Sequence, residues 1–352
     1  MPVSGSYGTG EYTRSLAIAR AAQRRWPACA IHFALSRQAP YAADAPFDKT
    51  MLDSSPTLHS TAVIDLLDRL RPDVVIFDNA GRTAQLRAAR RLGARIVYIS
   101  SRARQRRKAF RLSWMRLVDE HWIAYPQFIA GPLKFYERLK LNILGRPVVR
   151  YLDFVLSRAD LEQAGDTVSQ TGFSAGSFVL VVPGGGTGHP GADDASARFM
   201  AAARMLAQHG AATVYVGPGE ALPGDAATPN WHRLGPLPQP ELAELMRASR
   251  LIVVNGGSTL LQAIACGAAC VAIPIAGDQF KRARRCVEAG VAVAAMLDTR
   301  SIVQAAEQLL QDESRRAALA ARAAGLGLAD GVDLAMHALS ALIQPTPRAA
   351  LP

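Results

Sequence analysis

Near the start of the chain, a glycine-rich segment is followed at once by a carboxylate. The segment is Gly5-Ser-Tyr-Gly-Thr-Gly-Glu-Tyr-Thr-Arg14, with Glu11 where the loop turns into a predicted helix. Glycines such as Gly8 and Gly10 let backbone N–H groups approach a ligand, and the helix N-terminus adds partial positive charge. A carboxylate at this turn could act as a general base. The alternative is a structural turn in which Glu11 only complements the helix dipole.

A second glycine-rich turn, Pro183-Gly-Gly-Gly-Thr-Gly-His189, follows the apolar pattern FVLVV and precedes a predicted helix. A strand, a glycine turn and a helix in this order can hold an anion on backbone N–H groups. His189 either donates a hydrogen bond to a phosphate or lies in solvent without a role.

The third segment, Asn255-Gly-Gly-Ser-Thr259, follows a predicted strand over 251–254. Ser258 and Thr259 open the next predicted helix, where their hydroxyls can either cap the helix or bind a phosphate.

The next predicted strand ends at Pro274, and the loop after it carries Asp278 and Gln279. The carboxyl ends of parallel strands meet at one edge of a sheet. These polar groups should therefore converge where open α/β sheets bind ligands. The alternative is that Asp278 only caps the helix that begins near Phe280.

The elements around these segments alternate between apolar strands and amphipathic helices. Such alternation predicts parallel sheets covered on both faces, arranged as two doubly wound, Rossmann-like domains. The stretch 37–58 has no periodicity and is predicted to be a loop, whereas 301–324 is predicted to be helical. Only Met1–Ser4 precedes the first glycine loop, so the first strand is either very short or begins upstream.

The predicted organisation has five parts. They are an N-terminal domain over 1–156, a linker over 157–173, a C-terminal domain over 174–328, a helix over 329–343 and a disordered tail over 344–352.

The composition is that of an ordinary globular protein. Of 352 residues, 49% are hydrophobic and 20% are charged, which excludes a disordered chain. Four cysteines without a CxxC pair exclude a disulfide scaffold and the usual thiolate zinc site, and suit a reducing compartment. No apolar run approaches the roughly 18–20 residues of a membrane span, and the start lacks a signal-peptide pattern. We therefore expect a cytoplasmic protein.

The formal net charge of +11 is concentrated in part in the stretch 102–151, which also carries aromatic residues. Its first part, 102–117, could lie on an anionic membrane surface. It could instead bind a phosphorylated acceptor, or form a helix with a solvated basic face and with Trp114 and Leu117 in the core. Nucleic acid is disfavoured, because the aromatic residues do not form a stacking platform and no recognised motif is present.

The third segment resembles the donor-binding signature of nucleotide-sugar glycosyltransferases with the GT-B fold. Every spacing of that signature is kept over 24 positions, at Gly256, Thr259, Gln262, Gly267, Pro274, Asp278 and Gln279. The chain is similar in particular to the group of the lipid-II-forming N-acetylglucosaminyltransferase and related nucleotide-sugar hydrolases. Two residues depart from the pattern: Gln262 stands where the family has a ribose-binding acid, and Glu11 stands where the group has histidine.

The resemblance implies two Rossmann-like domains facing a central cleft, and a hexosyltransferase of cell-envelope or polysaccharide biosynthesis. The donor would be a UDP- or dTDP-linked sugar, and the acceptor a lipid-linked molecule or a glycan, with the enzyme peripheral at the inner face of the membrane. Neither a metal nor another cofactor is expected.

The resemblance also implies a role for each site residue. Glu11 would be the base, with Gly8, Gly10 and Arg14 on the acceptor side. The diphosphate would rest on the glycine turns, Gln262 would contact the ribose, and the Asp-Gln pair would hold sugar hydroxyls. The implied donor-binding residues are Gly185, Gly186, Thr187, Gly188, Gly256, Gly257, Ser258, Thr259, Gln262, Asp278 and Gln279.

Two other functions stay open. One is a nucleotide-sugar hydrolase or 2-epimerase of the same fold. The other is a non-catalytic sugar-nucleotide-binding protein, which the two departures at Gln262 and Glu11 would suit.

Overall fold

The chain divides into two units, one formed by Met1–Val155 with Ala329–Pro352 and the other by Leu156–Leu328. The computed structural model describes residues 1–3, 10–39, 41–155, 166–184, 194–219, 228–275 and 277–343. Every strand pair among these residues is parallel, as the alternation of strands and helices predicted.

The strands and helices of the described residues are numbered in chain order. The strands are β1 (His32–Ser36), β2 (Asp48–Leu52), β3 (Val74–Asp78), β4 (Arg95–Ser100), β5 (Glu120–Ile123), β6 (Val148–Tyr151), β7 (Val179–Val182), β8 (Thr213–Val216), β9 (Trp231–Leu234), β10 (Leu251–Asn255), β11 (Cys270–Ile273) and β12 (Val293–Ala294). The helices are α1 (Gly10–Arg25), α2 (Ser60–Leu70), α3 (Thr83–Arg91), α4 (Ala103–Ala109), α5 (Leu112–Met115), α6 (Gln127–Ala130), α7 (Phe135–Leu144), α8 (Thr167–Gln170), α9 (Ala195–Gln208), α10 (Gln239–Ala248), α11 (Ser258–Ala265), α12 (Gly277–Glu288), α13 (Thr299–Gln311), α14 (Glu313–Gly325) and α15 (Gly331–Ile343).

In the first unit, Met1–Val3 links two runs of strands. β1 pairs with β2, and the other run has the order β3-β4-β5-β6. Pro2 bridges Ala34 of β1, and Val3 bridges Asp78 of β3. Met1–Val3 therefore takes the position of a very short strand between β1 and β3.

Helices cover both faces of this sheet, because successive strand residues point to opposite sides. Phe77 of β3 packs in a core with α2 and α3. Its neighbour Ile76 packs in a core with α1 and α15. The helix predicted over 329–343 is α15, and it belongs to the first unit, where Gly331 N donates to Phe154 O at 2.7 Å.

The second unit holds a six-stranded sheet in the order β12-β11-β10-β7-β8-β9. The chain moves from β7 outward to β9, and then returns to the other side of β7 to form β10, β11 and β12. The direction of this progression reverses between β7 and β10. In an open α/β sheet such a reversal places the ligand crevice outside the carboxyl ends of those two strands.

Several elements differ from the sequence prediction. The prediction of a loop over 37–58 was wrong, because β2 lies there. Only Leu52 of that strand is buried, so it lacks the apolar alternation of a strand. The helix predicted over 301–324 is two helices, α13 and α14, because the side chain of Asp312 caps a new helix by accepting from Arg315 N at 2.8 Å. Within the predicted linker, α8 packs on α10, and Thr167 N donates to Glu244.

None of the helices among the described residues is long and apolar enough to cross a membrane.

Candidate functional site

Two glycine turns of the second unit follow β7 and β10, the strands on either side of the reversal in strand order. The turn after β7 begins with Pro183 and Gly184. The remaining residues predicted for this turn, Gly185, Gly186, Thr187, Gly188 and His189, lie outside the described residues.

The buried side chain of Asn255 lies between these turns. Its Oδ1 accepts the N–H of Gly257 at 3.2 Å, which fixes the turn after β10. A Cβ added to Gly184 would come within 2.2 Å of Asn255 Nδ2, and Gly184 has a φ of 85°. Glycine is therefore required at 184 both for its backbone conformation and for space. Because one amide touches both turns, the described start of the first turn lies against the second.

Two residues of α12 lie against the turn at Gly256. Arg282 Nη1 donates to Gly256 O at 2.6 Å, and Arg282 is buried. A Cβ on Gly256 would lie 3.0 Å from Cβ of Gln279, so these two segments of the backbone are in close contact. Gln279 is buried as well, and its Oε1 accepts the N–H of Ile275 at 3.0 Å. The structure thus brings the predicted Gln279 against the predicted Gly256.

The first turn of α11 points out of the same edge of the sheet. Its N-cap is Gly257, which has no side chain to cap this end. The first N–H groups of a helix lack partners within the helix and carry partial positive charge. Ser258 is exposed and Thr259 is half-buried at this position. The arrangement is suited to an anion such as a diphosphate.

Gln262 lies on α11 and Asp278 on α12. Gln262 is buried on α11, one helical turn beyond Ser258. Asp278 is exposed in the first turn of α12, and its Oδ2 accepts from Arg282 Nη2 at 3.1 Å. Arg282 therefore connects the predicted Asp278 to the carbonyl of Gly256.

In the first unit, Glu11 lies in the first turn of α1 at the carboxyl edge of that sheet. Its Oε1 accepts from Asn79 Nδ2 at 3.1 Å and from Arg102 Nη2 at 3.3 Å. Asn79 follows β3 in the left-handed conformation, with a φ of 50°, and its Oδ1 accepts Ser101 N at 2.9 Å. The side chain of Glu11 is only 12% exposed, so Glu11 is a fixed and largely enclosed carboxylate.

A buried ion pair anchors the start of α1 to the end of β3. Arg14 Nε donates to Asp78 Oδ2 at 3.0 Å, and Ser15 Oγ donates to the same oxygen. Burial raises the pKa of Asp78 to about 6, although Arg14 and Ser15 both favour its charged form. The guanidinium of Arg14, predicted to face the acceptor, is thus buried and engaged with Asp78. Gly10 is the first residue of α1, and Gly8 lies outside the described residues.

Among the described residues, no cluster of three or more His, Cys, Asp or Glu side chains is placed to hold a metal ion.

Three residues of this region have no role predicted from the sequence: Asn255, Arg282 and Gly217. Arg282 follows Asp278 by four residues, which is the spacing of an ion pair on a helix and could have drawn attention to it. Gly217 follows β8, and a Cβ there would lie 2.8 Å from Cγ of Pro183. The strand-then-glycine pattern that revealed the other turns also applies to this one.

No protein-family model and no curated protein matches the sequence. Solved structures match it over nearly its whole length. Acinetobacter baumannii MurG has a TM-score of 0.60 at 17% identity, covering 94% of this chain and 97% of its own. A UDP-N-acetylglucosamine 2-epimerase has a TM-score of 0.59 at 16% identity, covering 95% and 93%. The spinosyn rhamnosyltransferase SpnG complexed with thymidine diphosphate has a TM-score of 0.60 at 15% identity, covering 94% and 96%.

The chain has the GT-B fold. Both the strand order of the second unit and the parallel sheet of the first agree with this assignment. Structures with the GT-B fold include glycosyltransferases and a 2-epimerase, so the fold establishes the architecture and leaves the reaction to be argued from the residues.

Proposed function

We propose that this GT-B chain is a glycosyltransferase that moves a sugar from a UDP- or dTDP-linked donor to an acceptor hydroxyl. The observation that carries the proposal is the contact of Asn255 with Gly184 and Gly257 at the reversal of strand order. Because one buried amide contacts both Gly184 and Gly257, the two turns begin at one place on the sheet edge, where backbone N–H groups could bind a diphosphate.

The diphosphate of the donor would bind at the N-terminus of α11, on the N–H groups of Ser258 and Thr259. Breaking the bond between sugar and diphosphate increases the negative charge on the leaving group. Fixed N–H dipoles can stabilise that charge without reorganising during the reaction. Gln262 would form a hydrogen bond with a hydroxyl of the ribose, either as donor or as acceptor. Because Oε1 of Gln279 already accepts from Ile275 N, its Nε2 is the group assigned to a sugar hydroxyl, beside Asp278.

Glu11 would remove the proton of the acceptor hydroxyl. Asn79 and Arg102 both bind its Oε1, so we assign the proton transfer to Oε2. A carboxylate held on one oxygen keeps the other in a fixed direction, which favours proton transfer to a positioned base. If Glu11 acts in direct displacement, the anomeric centre of the sugar is inverted. The free cysteines Cys29, Cys266, Cys270 and Cys286 suit the cytoplasmic location that we propose.

A second candidate is a nucleotide-sugar hydrolase or 2-epimerase, favoured by the structural similarity to the UDP-N-acetylglucosamine 2-epimerase. These enzymes act on the nucleotide sugar without an acceptor. Product analysis of UDP-N-acetylglucosamine incubated with the protein alone therefore separates the reactions. An unchanged donor supports the transferase, whereas free sugar indicates a hydrolase and the epimeric sugar an epimerase.

The proposal is tested by thermal unfolding in the presence of UDP, dTDP, ADP and GDP and of the corresponding sugar nucleotides. A ligand at 100 times its Kd stabilises the native state by about 2.7 kcal/mol. We expect UDP or dTDP and their sugars to raise the melting temperature, and the purine nucleotides to have less effect. No rise with any of these compounds would contradict the donor site. Tight binding without turnover on any acceptor would favour a non-catalytic binding protein.

A further inference from the structure

Helix α7 of the first unit has its acidic residue inside and four large apolar residues outside. Glu137 is the buried residue of this helix, at 1% exposure. Its Oε2 accepts from Arg106 Nη2 at 2.7 Å and from Lys134 N at 2.8 Å. Arg106 is also buried, and it donates to the carbonyls of Ala130 and Gly131. This buried ion pair fixes the rotation of α7, so its outward face is determined by the fold.

The outward face of α7 is apolar. Phe135 and Ile143 are 74% and 73% exposed, and Tyr136 and Leu139 are also exposed. With about 100° between successive helix residues, these four side chains fall within an arc of roughly 100°. Exposed apolar side chains gathered on one face usually mark an interaction surface.

Cations lie along both margins of this arc. Arg138 lies on one side, with Lys134 just before the helix, and Lys140 lies on the other side. Lys140 is half-buried, and its Nζ donates to Phe110 O at 3.1 Å. The acid of α7 is the buried Glu137, so the exposed face has no negative charge of its own. An apolar stripe between basic margins is the pattern of a helix that lies in the interface of an anionic membrane.

The stretch 102–117, expected from the sequence to contact a membrane, presents much less apolar surface. Phe110, Trp114 and Met115 are buried in the first unit, and Leu112 is the large apolar side chain of that stretch exposed among the described residues. Four exposed large apolar residues lie instead on α7.

We propose that the outward face of α7 docks on a lipid surface with anionic headgroups. Phe135, Tyr136, Leu139 and Ile143 enter the boundary between headgroups and acyl chains, and the exposed Lys134 and Arg138 contact the headgroups. A second copy of the chain is a poorer occupant. A stable dimer buries about 800 Å² on each partner, which exceeds what four partly exposed side chains offer, and two such faces would bring like charges together.

The test is co-sedimentation of the full chain with vesicles made of equal parts phosphatidylcholine and phosphatidylglycerol. We expect binding at low salt that weakens as salt is added, and little binding to pure phosphatidylcholine vesicles. The double variant Phe135→Ser/Ile143→Ser should lower the partition coefficient at least about tenfold, since each large apolar side chain leaves the bilayer interface. Arg138→Ala should lower it about fivefold, which corresponds to the ~1 kcal/mol contributed by one cation near the surface.

The matched controls remove equally exposed residues elsewhere. Leu58→Ser/Met296→Ser replaces two side chains that are 65% and 71% exposed, and Arg315→Ala removes an exposed cation of α14. Both should bind vesicles like the wild type. Equal binding of the α7 double variant and the wild type would overturn the proposal, as would equal binding to neutral vesicles. Light scattering that shows a dimer lost in the Phe135→Ser/Ile143→Ser variant would assign the face to self-association instead.

Discussion

The contact between Gly184 and Asn255 predicts a specific energetic coupling between the two turns. In Gly184→Ala, the three atoms nearest to the new Cβ all belong to the Asn255 side chain: Nδ2 at 2.2 Å, Cγ at 2.9 Å and Oδ1 at 3.2 Å. Asn255→Ala removes those three atoms. The steric part of the Gly184→Ala defect should therefore vanish when both substitutions are present.

The size of this coupling follows from its separate parts. A non-glycine residue in the left-handed region costs about 1–2 kcal/mol of unfolding free energy. Overlap in a packed site adds about 1–3 kcal/mol. Asn255→Ala costs about 1–3 kcal/mol, because it leaves Gly257 N without its acceptor. The double variant should keep the backbone cost and the hydrogen-bond cost, and lose the overlap. It should thus be about 1–3 kcal/mol more stable than the sum of the two single effects.

The assay is urea unfolding of the wild type, the two single variants and the double variant. Gly210→Ala is the matched control, because Gly210 has a φ of 93° and nothing lies within 4 Å of its added Cβ. It should show only the backbone cost, and it should not be coupled to Asn255→Ala. Independent sites add to within about 0.3–0.5 kcal/mol. Additivity of Gly184→Ala and Asn255→Ala within that margin would refute the contact between the turns.

Three further predictions concern the reaction. Glu11→Gln should lower the rate of transfer about 10²–10⁴-fold and leave nucleotide affinity unchanged, because it removes a base but keeps the side-chain shape. The control Glu313→Gln, at another helix start, should have full activity, and equal rates for Glu11→Gln and wild type would remove Glu11 as base. Asp278→Ala should reduce the rate of transfer. It should lower the free energy of unfolding by less than about 1 kcal/mol, because the Asp278 carboxylate in its ion pair with Arg282 is exposed. Unchanged turnover would exclude a contact between Asp278 and the sugar. Activity should survive EDTA, and a loss restored by Mg²⁺ would contradict stabilisation of the leaving group by N–H dipoles alone.

The sheet of the second unit could be predicted because its central strands are short apolar runs followed by glycine. β7 and β10 are buried throughout, and such strands have a nearly continuous apolar pattern. The strand β5 was not predicted from the sequence, because it lacks such an apolar pattern. It begins with Glu120 and His121, both fully buried, which do not resemble a strand in a core. Glu120 pairs with Arg150 of β6 at 2.9 Å, and His121 Nε2 bonds Ser100 Oγ at 2.8 Å. Only the folded structure supplies these partners.

In the candidate site, too, some residues could be predicted from the sequence and others could not. The spacing of the third segment predicted which residues follow the strand ends, and the structure places Gln279 beside Gly256. The roles of Asn255 and Arg282 could not be predicted in the same way. Asn255 matters because β7 and β10 are neighbours in the sheet, although they are far apart in the chain. Arg282 reaches a carbonyl 26 residues earlier. Both depend on tertiary contacts that local patterns do not encode.

The most direct test of the donor site is a crystal structure of the protein with UDP or dTDP. We expect diphosphate oxygens within hydrogen-bond distance, about 2.7–3.2 Å, of the N–H groups of Ser258 and Thr259. The same crystal should show the side chain of Asn255 still bonded to Gly257 N. A nucleotide bound away from the N-terminus of α11, with that turn facing solvent, would contradict the proposed donor site.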